Sequence, residues 1–176
     1  MLPTLTYECS EFLLASGGQP LLKNLPSYRD GFIKVKVRHQ RKRNSDAFTE
    51  NFNHAFADER SRLLQRSVFA HGEASFVPST TPDLEPFYIF PVDGFRFMYN
   101  PVAASTSQYK DTFDKLLTNV GDSAPELFQK LLQYDYVFDK LSEGITGGSE
   151  IIFYGIPYYF ALRKTIIDDY KRFCES

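Results

Sequence analysis

Two stretches of this 176-residue chain constrain its fold more than any other feature. Residues 86–101, PFYIFPVDGFRFMYNP, and residues 150–163, EIIFYGIPYYFALR, each hold two apolar, aromatic-rich runs separated by a short turn. The first turn contains Asp93-Gly94, a strong hairpin signal, and the second contains Gly155-Ile156-Pro157. Each stretch therefore predicts a β-hairpin, and the second hairpin is expected to be buried.

The other patterns do not alternate regularly between strand and helix. Residues 32–38 alternate apolar and basic side chains, which predicts a half-exposed strand, and residues 66–70 predict a short strand. Apolar spacing predicts a helix at about 47–64, further short helices between 109 and 146, and one after residue 163. Residues 1–31 predict a helical piece at 11–15 followed by loop, and residues 71–86 predict a loop. This order favours an α+β fold over a doubly wound sheet.

Composition narrows the partners and the compartment. The net charge of -2 means that any nucleic-acid contact must come from a local basic patch. Cys9 and Cys174 are expected to be free thiols, and the three histidines show no metal-binding spacing, so no metal is expected. Without a signal-peptide pattern or a long apolar run, we expect a cytoplasmic protein, of a host cell or of a virus inside it, with no membrane partner.

Basic side chains are concentrated in residues 34–43. They can grip phosphates of a nucleotide or a nucleic acid, or they can mark a solvated edge strand that avoids pairing with other chains. The cluster consists of Lys34, Lys36, Arg38, Arg41, Lys42 and Arg43.

A single carboxylate, Glu150, opens the last aromatic stretch. It can be a solvent-facing strand start, or it can lie at the rim of a cleft, because a Glu is seldom buried unless it is paired. The preceding Gly147-Gly148-Ser149 lets a ligand or another backbone segment approach closely.

In chain order, Arg38 ends the first strand, Ser67 and Phe69 lie on a short strand after a helix, and Glu150 opens a late strand. This order resembles the Arg, Ser, Glu triad of mono-ADP-ribosyltransferases, and is closest to the divergent, toxin-like bacterial and phage-borne members. The motifs that carry the resemblance are RSVFAHG, IFPVDGF and SEIIFY, within about residues 32–160. The resemblance implies one ADP-ribosyltransferase-like domain over residues 1–176, with split mixed or antiparallel sheets and flanking helices.

The resemblance also implies a substrate, NAD, and a role for each residue. Glu150 would bond the nicotinamide ribose and stabilise an oxocarbenium-like transition state. Arg38 would hold the diphosphate or the adenosine ribose through its forked donors. Ser67 would orient Glu150, and Phe69 would line the nicotinamide pocket. The loop at 71–86 would cover NAD and help to choose the acceptor.

Three departures from the family pattern keep alternatives open. Position 148 is Gly where many members carry Gln or Glu, so the acceptor is activated otherwise or catalysis is impaired. The literal Ser-Thr-Ser at 105–107, which also suits a helix cap, rivals Ser67. Arg41 and Arg43 compete with Arg38, although strand phase favours Arg38.

The sequence therefore favours NAD-dependent mono-ADP-ribosyl transfer to a protein or nucleic-acid acceptor, and leaves the oligomeric state open. One alternative is a non-catalytic nucleic-acid binder with aromatic stacking surfaces. Another is a viral structural or partner-binding protein. A nucleic-acid acceptor would contact Lys34, Lys36, Arg41, Lys42 and Arg43.

Overall fold

The computed structural model describes residues 2–37, 46–56, 63–103 and 105–168, and within them strands and helices combine in one α+β fold, as predicted. The α-helices are α1 (Leu2–Glu8), α2 (Ser10–Ala15), α3 (Ala47–Phe56), α4 (Ser107–Val120), α5 (Ala124–Asp135) and α6 (Leu141–Thr146). The strands are β1 (Leu21–Pro26), β2 (Phe32–Lys36), β3 (Val68–Gly72), β4 (Leu84–Pro91), β5 (Arg96–Tyr99), β6 (Glu150–Tyr154) and β7 (Tyr158–Arg163).

The strands form an antiparallel sheet in the order β2-β7-β4-β1-β3-β6-β5. Its weakest seam lies between β1 and β3, which share only the pairs Leu21–Gly72 and Leu22–His71. Beyond Leu22, β1 continues along β4, while β3 continues along β6. This divergence, called the split below, separates a half-sheet of β2, β7, β4 and β1 from a half-sheet of β3, β6 and β5.

The two aromatic stretches form strands, but the prediction that each is a hairpin is wrong. β4 pairs with β1 and β7, whereas β5 pairs with β6. β6 pairs with β3 and β5, whereas β7 pairs with β2 and β4. Each short turn therefore carries the chain from one half-sheet to the other.

These short connections require a strongly bent sheet. Four strand positions separate β6 from β7, which in a flat sheet amounts to about 19 Å. The chain from Tyr154 to Tyr158 spans at most about 14 Å when fully extended. The half-sheets must therefore turn toward each other, and residues of both, such as Phe153 and Phe160, share one core.

The Asp93-Gly94 turn has a tertiary partner that explains why it does not close a hairpin. The carboxylate of Asp93 accepts hydrogen bonds from the Ser10 hydroxyl (2.7 Å) and the Glu11 N–H (2.9 Å). The Glu11 carboxylate in turn accepts from the N–H of Gly94 (2.7 Å). The turn thus docks on the first residues of α2, where it satisfies an amide that the short helix leaves free.

Strand β1 lies in a segment for which the sequence predicts loop. LLKNLP shows no apolar-polar alternation and ends in proline, so neither strand signal is present. Nevertheless, β1 occupies the middle of the sheet, and Leu21 and Leu22 are fully buried. The error matters because β1 forms one wall of the split.

Helices cover both faces of the sheet. One core contains residues of α1, α2 and α6, and the other contains residues of α3, α4 and α5. Along β6, Ile151 and Phe153 enter the first core and Ile152 enters the second. Since side chains alternate along a strand, Glu150 shares the face of Ile152, on the side of α4. No helix in the described part of the chain combines the length and apolarity needed to cross a membrane.

Candidate functional site

Glu150 stands in a row of residues that runs across the split. It pairs with His71 of β3, and His71 pairs with Leu22 of β1, the last residue before β1 and β3 diverge. The carboxylate is therefore fixed by the strand register beside the weakest seam of the sheet.

Both carboxylate oxygens of Glu150 have partners. Oε1 accepts hydrogen bonds from the backbone N–H of Thr106 (2.8 Å) and from its hydroxyl (2.7 Å). Oε2 lies 3.5 Å from Nε2 of His71, and the two side chains are 16% and 28% exposed respectively. The carboxylate is thus oriented by protein groups, while the Glu150 side chain as a whole keeps a small exposure to solvent.

Thr106 occupies the N-cap position of α4, yet its side chain makes no capping hydrogen bond. The hydroxyl and the N–H that an N-terminal residue offers are directed to Glu150 instead. The positive end of the α4 dipole also favours a negative charge at this place. Helix α4 therefore serves as a clamp for the carboxylate.

These contacts decide the charge of Glu150. Burial disfavours ionisation, but the hydrogen bonds from His71 and Thr106 outweigh it, so the pKa of Glu150 falls below its usual value. The Glu150 side chain is consequently an anion at neutral pH.

Lys23 lies on the other side of the split. Its Nζ donates to the backbone carbonyl of Phe69 (3.2 Å), so the ammonium group bridges β1 and β3. Burial lowers the pKa of Lys23, and the negative charge of Glu150 partly restores it. Lys23 and Glu150 are therefore electrostatically coupled across the seam.

A cleft of about 290 Å³ opens where β1 and β3 diverge. Asn24 anchors its outer wall, because its side-chain amide donates to the Val77 carbonyl (3.1 Å) and accepts from the Ser79 N–H (3.2 Å). His71 connects Glu150 to this cleft, because His71 contacts the Glu150 carboxylate and also lines the cleft. The cleft is lined by Leu22, Lys23, Asn24, Phe69, His71, Ser75, Phe76 and Val77.

Of two positions that the sequence singles out, Phe69 lines this cleft, and Gly148 adjoins Ser75, which also lines it. Part of the loop that joins β3 to β4 lines the cleft as well. Gly148 adopts a left-handed backbone (φ +78°), and a Cβ there would lie 3.4 Å from the Cβ of Ser75, which lines the cleft. A longer side chain at position 148 would be strained, so the fold itself favours glycine there.

Ser67 is not placed to orient Glu150, and the prediction of that role is wrong. It precedes Val68, which pairs with Phe153, and so lies at the opposite end of β3 from His71. Four residues of strand correspond to about 13 Å. The Ser67 hydroxyl donates to the carbonyl of Leu63. The rival sequence at 105–107 supplies the partner of Glu150 instead, through Thr106.

The basic cluster is not brought to Glu150 by the residues that the structure describes. Lys34 and Lys36 lie on edge strand β2, and the next residue, Val37, donates its N–H to Pro157 in the link that follows β6. That link adjoins Tyr154, about 13 Å along β6 from Glu150. Arg38, Arg41, Lys42 and Arg43 lie outside the described residues.

The sequence patterns did not predict Lys23 and His71 as site residues, and they offered Thr106 only within the Ser-Thr-Ser run at 105–107, as a helix cap or as a rival to Ser67. Lys23 had a weak signal, a lone lysine among leucines in LLKNLP. His71 had none, and the contact of Thr106 with Glu150 had none, because both depend on strand register and on the position of α4. The three come from distant parts of the chain and meet at Glu150.

No family model, curated protein or solved structure matches this chain. Across the described residues, no three His, Cys, Asp or Glu side chains are grouped to hold a metal ion.

Proposed function

We propose that this protein is an ADP-ribosyltransferase-like domain that transfers ADP-ribose from NAD to a macromolecular acceptor. The observation that supports the proposal most strongly is the clamped carboxylate. Glu150 is held ionised by Thr106 and by His71, and His71 in turn lines a cleft beside the split. The sequence resemblance implies split mixed or antiparallel sheets with flanking helices, and the antiparallel sheet with its split between β1 and β3 is compatible with that expectation.

The carboxylate suits the chemistry of this reaction. The bond between nicotinamide and C1′ of the ribose breaks, and its electron pair leaves with nicotinamide. The ribose then resembles an oxocarbenium ion, and a fixed anion stabilises that positive charge without having to reorganise. An acceptor nucleophile bonds to C1′ and loses its proton.

The other cleft residues supply what a dinucleotide needs. Phe69 and Phe76 offer aromatic surface for a ring, and Lys23 offers a cation for a phosphate or a ribose hydroxyl. In this proposal Lys23 contributes to the anion-binding role that the resemblance assigns to Arg38. The acceptor approaches past Gly148 and the loop that bears Ser75, where no long side chain from position 148 intervenes.

The proposal is tested by incubating the protein with NAD labelled in the adenylate part, alone and with cell lysate, DNA or RNA. Wild type is expected to release nicotinamide and to label a macromolecule. Glu150→Gln should lower both rates by about 100-fold or more, the scale on which a fixed electrostatic group acts in a transition state. The matched control is Glu126→Gln, which alters an exposed glutamate of α5.

A second pair of variants separates Thr106 from Ser67. Thr106→Val removes one hydrogen bond to the carboxylate and should slow nicotinamide release about tenfold, whereas Ser67→Ala should change it by less than twofold. The proposal fails if NAD is neither bound nor cleaved with any acceptor. It also fails if Glu150→Gln is as active as wild type.

A further inference from the structure

A buried hydrogen-bond network adjoins Thr106 in the core that contains residues of α3, α4 and α5. The hydroxyl of Tyr136 is 3.5 Å from Oγ1 of Thr106, and Tyr136 is only 5% exposed. The direction of this contact follows from Glu150. An ionised carboxylate only accepts, so the Thr106 hydroxyl must donate to it and can only accept from Tyr136. The resulting relay runs from Tyr136 through Thr106 to Glu150.

A second tyrosine fixes the chain that leads to Thr106. The side-chain oxygen of Asn100, just after β5, accepts the N–H groups of Val102 (2.7 Å) and Ala103 (2.9 Å). The side-chain amide of Asn100 donates to the hydroxyl of Tyr109 (2.6 Å), which donates to Asp135 at the end of α5. Asn100 is 3% exposed, so these bonds form away from water.

The two tyrosines belong to one unit. Their ring centroids are 5.8 Å apart, and Asp135 and Tyr136 are adjacent in sequence. Together they tie the start of α4 to the end of α5, next to the first residue of β6. The N-terminus of α4, and with it Thr106, is thereby held against Glu150 from two directions.

The use of tyrosine here is informative because the same core also contains buried phenylalanines. Phe52, Phe113 and Phe128 fill the same cluster without carrying a polar group. A buried hydroxyl costs free energy unless it is hydrogen-bonded, and the hydroxyls at positions 109 and 136 both have partners. Burial raises the pKa of Tyr136 to about 12, so its hydroxyl stays protonated and remains a donor.

We propose that Tyr136 and Tyr109 are positioning residues, whose hydroxyl groups hold Thr106 in the place where it clamps Glu150. The effect on catalysis rests on the proposed function, whereas the effect on the Glu150 carboxylate does not. Among the described residues, His71 on β3 and Lys23 on β1 are the other charged or titratable groups that interact with this carboxylate. Both remain in place when the tyrosine hydroxyls are removed.

The test is a pH titration of the Glu150 carboxyl carbon by NMR, with Glu150→Gln used to assign the signal. Tyr136→Phe and Tyr109→Phe are expected to raise the pKa of Glu150, since each weakens the Thr106 clamp. Tyr154→Phe is the matched control, because Tyr154 borders the same core on β6 and contacts neither Thr106 nor Asp135 in the described contacts. Its substitution should leave the titration unchanged.

A double-mutant cycle separates positioning from general stability. In a Thr106→Val background the Thr106 hydroxyl is absent, so Tyr136→Phe should no longer shift the titration of Glu150. In otherwise wild-type protein, Tyr136→Phe should lower kcat for nicotinamide release about three- to tenfold and leave KM within twofold.

The outcomes separate the two proposals. If Tyr136→Phe shifts Glu150 only when Thr106 is present, the positioning role stands, even in a protein that never cleaves NAD. Should Glu150 titrate identically in wild type and in Tyr136→Phe, the positioning role is overturned. An equal shift with and without the Thr106 hydroxyl overturns it as well. If Tyr109→Phe does not fold, the Tyr136 cycle decides alone.

Discussion

The edge strand β2 and the split between β1 and β3 both carry lysines, but in opposite environments. On β2, Lys36 is exposed, and Lys34 lies 3.5 Å from the centre of the Tyr158 ring. At the split, Lys23 is partly buried, bonded to the backbone of Phe69 and coupled to the charge of Glu150. The first environment leaves the charges in water, and the second confines them beside a cleft.

The difference indicates which charged residues in a sequence are the better candidates for a functional site. Lysines repeated along an edge strand keep its free backbone groups from pairing with other chains, and they need no specific partner. A lone charge in an apolar stretch has to be paired when the chain folds, because an unpaired buried charge is costly. Lys23 and Glu150 are both lone charges of this kind, and the fold brings them to the same seam.

The largest effect that would sharpen this comparison is on ligand binding. Lys23→Met should weaken NAD binding at least tenfold, since a hydrogen bond to a charged group contributes about 1.5–3 kcal/mol. Lys36→Met should change the affinity by less than twofold. Isothermal titration calorimetry of both variants provides the measurement. Equal losses of affinity in the two variants would contradict the comparison, because Lys23 at the split would then matter no more for binding than Lys36 on the edge strand.

A smaller effect concerns stability in acid. Because the pKa of Glu150 is lowered from 4.5 by folding, the unfolded chain binds more protons around and below pH 4.5. The stabilisation from ionised Glu150 is complete above that pH and disappears as the pH falls through the lowered pKa. Wild type should therefore lose on the order of 1 kcal/mol more than Glu150→Gln on acidification, the scale of one net hydrogen bond.

Urea unfolding of the two proteins at pH 6 and at several values below pH 4.5 measures this difference. Other carboxylates are common to both proteins and cancel in the comparison. Parallel pH profiles would show that the Thr106 clamp does not stabilise the charged form.

The smallest expected effect is at the edge strand. Lys34→Ala removes the contact between the ammonium group and the Tyr158 ring, which at an exposed site contributes about 0.5–1 kcal/mol. Lys36→Ala, two residues away on the same strand, should change stability by less than about 0.5 kcal/mol. Chemical denaturation measures the free energy of unfolding of both variants. A loss of several kcal/mol in either variant would contradict this prediction, because it would mean that the lysine is important for stability.

Local patterns in the sequence were sufficient to predict most of the elements. The apolar runs at 150–163 and 86–101 predicted four strands, and apolar spacing between 109 and 146 predicted short helices that the structure contains as α4, α5 and α6. The partners of those strands could not be predicted, because a tight turn between apolar runs has the same local signature whether it closes a hairpin or connects two half-sheets. Asp93 illustrates the difficulty, since its hydrogen-bond partners Ser10 and Glu11 lie 83 and 82 residues earlier in the chain.

The site was predictable only in part, for the same reason. Glu150 could be singled out because a carboxylate before an apolar strand is unusual by itself. Thr106 could be recognised as a helix start, but its contact with Glu150 depends on where α4 docks. Lys23 was hidden in a strand without alternation, and His71 gains its place from its register with both Leu22 and Glu150.

The crossed connections also determine how this chain must reach its native state. Phe32 pairs with Leu162, and Val68 pairs with Phe153, so the described strands form no local hairpin, and the sheet depends on contacts between residues far apart in sequence. During synthesis β2 has no described strand to join until β7, about 120 residues further along the chain, has left the ribosome. We therefore expect slow folding, limited by the closure of long loops, with β2 exposed until β7 arrives. The lysines on β2 then protect the newly made chain from association during the interval when it is most exposed to other chains.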